Sequence, residues 1–86
     1  MMPNRLKKAR MRVVGAKQTQ RALQSGTVAV VYMAEDADKR LLSPIVDTAR
    51  EEQVEIVFIP SMAELGQLCR IAVGAACAAI LQEEPQ

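Results

Sequence analysis

The run Thr27 to Ala34, TVAVVYMA, is apolar and β-branched, with no alternation of polar and apolar positions. A strand wetted on one side alternates; a strand covered on both sides does not. The run therefore predicts a central strand with other elements packed on both its faces. Glu55 to Ile59, EIVFI, is predicted as a second buried strand. Between them, Ser43-Pro44 supplies an N-cap and a proline at the first helical position. Ile45, Val46 and Ala49 give that helix its apolar stripe, and it should end near Glu52. Ser61-Met62-Ala63-Glu64 fits a capping box that opens a further helix carrying Leu65, Leu68 and Cys69. Doubly covered strands alternating with helices predict an α/β fold. The expected form is a three-layer α-β-α sandwich on a mixed sheet of about four strands.

The chain has 86 residues, which bounds it to one domain over 1–86 with a single modest core. The tail 82–86 and the first residue or two are expected to fray. The basic start, MMPNRLKKARMR, lacks the apolar stretch of a signal peptide. The run IAVGAACAAIL near the other end is roughly half the length of a membrane span. A soluble, cytoplasmic protein is expected, with no membrane partner. Cys69 and Cys77 do not form a CxxC pair and there is no histidine, so no zinc site is expected. Both read as small buried apolar residues in a reducing compartment.

No GxGxxG, GxxxxGK[ST] or nucleophile-elbow pattern is present. Glu35, Asp36 and Asp38 in EDAD read as solvated acids that help cap the following segment, not as a cation site. No cofactor, metal, catalytic residue or small-molecule substrate is expected, and the protein is read as a non-enzyme. Tyr32 and Phe58, its two aromatics, both fall in predicted buried strands, which argues against base stacking on a sheet surface.

Charge is lopsided. Residues 1–21 hold seven basic residues and no acid; the remainder holds four basic residues against all ten acids. Either the first quarter faces a polyanion, or it lies across an acidic face of its own domain. Locally, NRLKKARMR is predicted as a short helix capped by Asn4, and Val13-Val14 as a short strand. Gly15 then leads into a helix from Ala16 to Ser25, which Gly26 ends. On a helical wheel Ala16, Thr19, Ala22 and Leu23 share the sheet-facing arc. Lys17, Gln18, Arg21, Gln24 and Ser25 face outward. Cations at a helix N-terminus oppose the helix dipole and are eased by an external anion. Lys and Arg also donate to guanine O6 and N7, Gln suits a base edge, and the helix-start N–H groups can hold a phosphate. The rival explanation is an ordinary solvated helix face. The run IAVGAACAAIL is open between helix, favoured slightly by its alanines, and a closing strand.

Three stretches in this order, GAKQTQRAL, AEDAD and VFIPSMAELGQLCRIAVGAACAAI, resemble the ribosomal L-seven-Ae family over about residues 6–81. The short bacterial YbxF-like branch is the nearest in pattern. The resemblance implies an α/β sandwich that binds kink-turn RNA, a sharply bent duplex whose sheared G·A pairs expose guanine edges. The family's helix start, G-x-[NK]-[EQ]-x-x-[KR], reads here Gly15, Ala16, Lys17, Gln18, Thr19, Gln20, Arg21. It also implies an apolar loop, Arg70, Ile71, Ala72 and Val73, against an extruded nucleotide, with Asp38 and Leu42 close by. By the same resemblance residues near 75–80 form a strand. Arg70 stands where a Gly is usual and Ala72 where an acid is common; Ala63, Glu64 and Gln67 replace positions that are often basic. The resulting expectation is a monomeric, ribosome-associated protein acting on kink-turns of ribosomal RNA or a riboswitch. The alternative is a protein–protein interaction module on the same fold, working through the acidic stretch Asp47 to Glu55.

Overall fold

The computed structural model describes residues 11–82. Of the helix predicted over NRLKKARMR, residues 4–10 lie outside that range; so do Arg5, Lys7, Lys8, Arg10 and the tail 83–86. Arg12, at the end of that prediction, is in a strand. The elements are β1 (Arg12–Val14), α1 (Ala16–Gln24), β2 (Val28–Ala34), α2 (Lys39–Glu51), β3 (Glu55–Ile59), α3 (Met62–Leu68) and β4 (Cys77–Leu81). The sheet is mixed, in the order β1-β4-β2-β3. β2 and β3 run parallel, joined through α2, whereas β4 is antiparallel to both β1 and β2. The whole is an α-β-α sandwich.

β2 is buried as its unalternating sequence requires: Val30, Val31, Tyr32, Met33 and Ala34 are each at most 1% exposed. Cys77, Ala78 and Ala79 of β4 lie beside it in the core. The alanine-rich segment is thus a strand against its local helix propensity. Between β1 and β2 it gains backbone hydrogen bonds on both edges.

Three expectations are corrected. The second helix starts at Lys39, not at Ser43-Pro44, so Pro44 lies inside it. Asp38 is the N-cap: its Oδ1 accepts from Arg40 N at 2.9 Å. The earlier start lets Leu42 join Ile45 and Ala49 in the buried stripe. β3 is not covered on both faces. It forms one edge of the sheet, and Phe58 is 56% exposed. Gln82, expected to fray, is tied to the sheet through Gln82 N–H to Thr27 O at 2.7 Å.

Each of the three helices ends in a Schellman motif. A left-handed residue follows the C-cap: Gly26 (φ 74°), Gln53 (φ 58°) and Arg70 (φ 62°). The next residue donates to the carbonyl five back, as Thr27 to Ala22, Val54 to Ala49 and Ile71 to Gly66.

Candidate functional site

α1 follows β1 after a single residue. Gly15 takes φ 107°, which L side chains rarely adopt, and its N–H donates to Cys77 O of β4 at 2.9 Å. The start of the helix is thereby fixed to the sheet. Thr19 and Leu23, both fully buried, hold its inner face down. Helix geometry leaves the N–H groups of Ala16, Lys17 and Gln18 without intrahelical acceptors. Gly15 offers no side-chain cap, and the first turn has no acid.

Lys17 and Gln18 are exposed on this end, with Ala16 half-buried beside them, and Arg21 is exposed one turn further along, in the last turn of the helix. Among the described residues no acid pairs with Lys17 or Arg21. The expected outward face is therefore present, and its cations are not absorbed by the described acids. Arg12 behaves differently. It is half-buried, and its Nη2 donates to Cys69 O at 2.9 Å. At this position the basic segment turns into the protein.

The second surface is the loop after α3. Ile71 is 37% exposed and Val73 71%, and Arg70 and Ala72 are exposed with them. The loop is held by backbone contacts: Ile71 N–H donates to Gly66 O at 3.1 Å and Ala75 N–H to Met62 O at 3.0 Å. A Cβ at Gly66 would run into Val73 O, so the loop lies directly on the helix backbone. The EDAD turn is brought to the same place, because Asp36 Oδ1 accepts from Met62 N at 2.8 Å. The acids of that turn do act as caps, Asp38 on α2 and Asp36 on the start of α3. Ser61 adds its own cap by accepting from Glu64 N at 3.1 Å.

Asp38 is exposed near this turn, with Arg40 Nε 3.6 Å from its Oδ1. Leu42 is a core residue, only 7% exposed, at the floor of a groove of about 460 Å³ with Met33, Ala37, Lys39 and Phe58. Little of it is presented to a partner. Sequence reasoning missed Met62, 37% exposed and packed on Gly74, and Leu41, 47% exposed. Leu41 lines a shallow groove with Ala16, Lys17, Gln20, Pro44 and Ile45. The helical register starting at Lys39 would have exposed Leu41; the register starting at Pro44 hid it.

Cys69 and Cys77 are buried thiols. Burial pushes the pKa of both up, opposed by the Arg12 guanidinium at Cys69 and by the Thr19 hydroxyl at Cys77. Among the described residues no group of three or more His, Cys, Asp or Glu is placed to hold a metal ion. No helix among them is long and apolar enough to cross a membrane.

The profile described as "Ribosomal protein L7Ae/L30e/S12e/Gadd45 family" matches residues 2–86. A protein of Caldanaerobacter subterraneus subsp. tengcongensis named as an RNA-binding protein is 48% identical over 68 residues, 79% of this chain and 83% of the relative. RNA-binding protein YbxF of Geobacillus stearothermophilus is 44% identical over 70 residues, 81% of this chain and 85% of the relative. Among solved structures, the Giardia lamblia 15.5kD RNA binding protein superposes with a TM-score of 0.85 at 25% identity, covering 95% of this chain and 72% of its own.

Proposed function

The chain belongs to the ribosomal protein L7Ae/L30e/S12e/Gadd45 family, within its YbxF-like branch, and from that membership we propose that it binds kink-turn RNA and stabilises the bent form. Lys17, Gln18 and Arg21 read guanine edges of the sheared pairs. Backbone groups near Gly15 and Ala16, with the Gly15 N–H itself kept by Cys77 O, hold the kinked strand. Ile71, Ala72 and Val73 seat the extruded nucleotide, with Arg70, Asp38 and the exposed edge of Leu42 around it. The protein prefers the kinked conformer over the extended one and so shifts that equilibrium. In this reading it works as a cytoplasmic monomer on ribosomal or riboswitch RNA, with no cofactor and no catalytic step.

One observation carries the reading. α1 begins with no side-chain cap and no first-turn acid, Lys17 at that end is exposed, and Arg21 is exposed one turn further along. Its positive end is supplied with donors and lacks an acceptor. A folded-back ribonucleotide strand provides both the phosphates and the guanine acceptors that this end lacks.

The test is titration of the protein with a kink-turn duplex and with a control whose G·A pairs are replaced. The kink-turn should bind tighter, with affinity falling as salt rises. Lys17→Ala and Arg21→Ala should each weaken kink-turn binding by about 1–3 kcal/mol. Equal affinity for both duplexes, or mutants as tight as the parent, would refute the assignment and favour a protein-docking role. Crosslinking in cells with sequencing of the bound RNA then names the target.

A further inference from the structure

Arg12 lies in β1, two residues before Gly15, so its backbone leads directly into α1. Its side chain reaches Cys69, the C-cap of α3 and the last residue before the exposed loop. Carbonyls at a helix end have no intrahelical donor, and a guanidinium supplies a charge-assisted one. The opposing pull of Arg12 on the Cys69 thiol reflects the same proximity. The backbone bonds of the loop run elsewhere: Ile71 N to Gly66 O and Ala75 N to Met62 O attach it to α3, and Ala34 N to Ala76 O attaches its exit to β2. The bond from Arg12 joins the root of the loop to the strand that launches α1.

We infer that Arg12 is a positioning residue: it fixes the loop Arg70–Val73 relative to the start of α1, so that the two surfaces engage one RNA together. This rests on the kink-turn reading above. Two contact surfaces on one rigid body act together only when their separation matches the ligand; play between them must be removed on binding and weakens it. Arg12 therefore contributes to affinity without touching RNA, although its charge and place in the basic segment suggest a phosphate ligand.

The test uses the full chain and a kink-turn duplex carrying 2-aminopurine at the extruded position. Arg12→Met keeps the apolar stem and removes the donors; Arg12→Lys keeps a charged donor. Arg12→Met should weaken binding roughly three- to thirtyfold, inside the range of coupling between linked sites. Arg12→Lys should recover part of that loss and serves alone if Arg12→Met does not fold. The effect of Arg12→Met should shrink in a Val73→Ala background and likewise in a Lys17→Ala background, because the coupling it maintains is between the two surfaces. Its salt slope should equal that of the parent. A slope shallower by about one phosphate contact makes Arg12 an RNA ligand and overturns the inference. Unchanged affinity, or full additivity with Val73→Ala, overturns it too.

Hydrogen exchange on the free protein separates this inference from the reading it rests on. Arg12→Met should speed exchange of the Ile71 and Ala75 amides. A parent that binds the kink-turn while those amides stay unchanged in Arg12→Met sinks the role of Arg12 alone. A parent indifferent to the kink-turn sinks the RNA reading, and the RNA role of Arg12 with it, even where exchange at Ile71 quickens.

Discussion

Gly66→Ala separates local propensity from tertiary packing, because the two predict opposite signs. Gly66 is inside α3, and by helix propensity alone Ala there stabilises by about 1 kcal/mol. The loop reverses this. A Cβ at residue 66 runs into Val73 O and stands 3.1 Å from Gly74 Cα and from the Val73 carbonyl carbon. These are backbone atoms and cannot rotate away, so the loop must retreat or the helix must bend. Overpacking of this kind costs about 1–3 kcal/mol. Retreat also weakens the Ile71–Gly66 and Ala75–Met62 bonds, each worth about 1 kcal/mol net. After the helix gain is subtracted, a loss of about 1–4 kcal/mol remains. For a domain of this size each 1 kcal/mol lowers Tm by roughly 4–8 °C. Urea unfolding should show a lower midpoint with an unchanged slope. Kink-turn affinity should fall as well, since Ile71 and Val73 move with the loop. A stability gain near 1 kcal/mol with loop amides unchanged would show that the loop does not lean on Gly66.

Arg70→Gly should raise stability by about 0.5–1 kcal/mol in urea unfolding. Arg70 sits at φ 62°; left-handed geometry costs a side chain roughly 1–2 kcal/mol, of which the greater freedom of unfolded glycine returns about half. Lys17→Glu should stabilise the fold by roughly 0.5–2 kcal/mol, through the loss of one adverse and the gain of one favourable charge at the start of α1, while kink-turn binding falls; thermal melts and RNA titration must move in opposite directions. The two cysteines predict an alkaline limb: both folded pKa values lie above the ordinary 9.0. Their contribution is whole below about pH 9 and is lost as pH climbs toward the folded values. The drop in urea midpoint between pH 8 and 10.5 should be shallower in Cys69→Ala/Cys77→Ala than in the parent; parallel curves would refute it.

The elements that were legible in the sequence are those decided by local chemistry. The unalternating run of β2, the Ser61 cap, and Gly15 and Gly26, which lack a Cβ, each state their role in their own residue type. The start of α2 was misread because Ser43-Pro44 is a stronger local signal than Asp38, while the burial of Leu42 depends on the sheet. The edge position of β3, and hence the exposure of Phe58, follows from strand order, which residue pattern does not encode. β4 illustrates the same limit: its alanines favour helix, and it is a strand because β1 and β2 both offer it an unpaired edge. The left-handed conformations of Gln53 and Arg70 were invisible, since neither residue prefers them. The outward face of α1 was readable from the wheel. Arg12 was not, because its acceptor is a backbone carbonyl 57 residues away.

The three helix starts together say why α1 differs in kind from its neighbours. α2 is closed by Asp38, whose carboxylate takes the Arg40 N–H. α3 is closed twice, by Ser61 on Glu64 N and by Asp36 on Met62 N. The chain therefore has the means to satisfy helix-start donors, and uses it at α2 and α3. At α1 the same need is met by neither cap nor acid, and Lys17 sharpens the imbalance, whereas Arg21 sits in the last turn, where a cation suits the dipole. An adverse charge at a helix start costs about 0.3–1 kcal/mol, small beside the roughly 5–15 kcal/mol stability of an ordinary folded domain. An uncapped start confined to one helix end, on a helix whose inner face is anchored by fully buried Thr19 and Leu23, is consistent with the proposed RNA-binding role. In a loosely packed helix Lys17 would promote fraying of this end; Thr19 and Leu23 hold it down while Lys17 stays exposed.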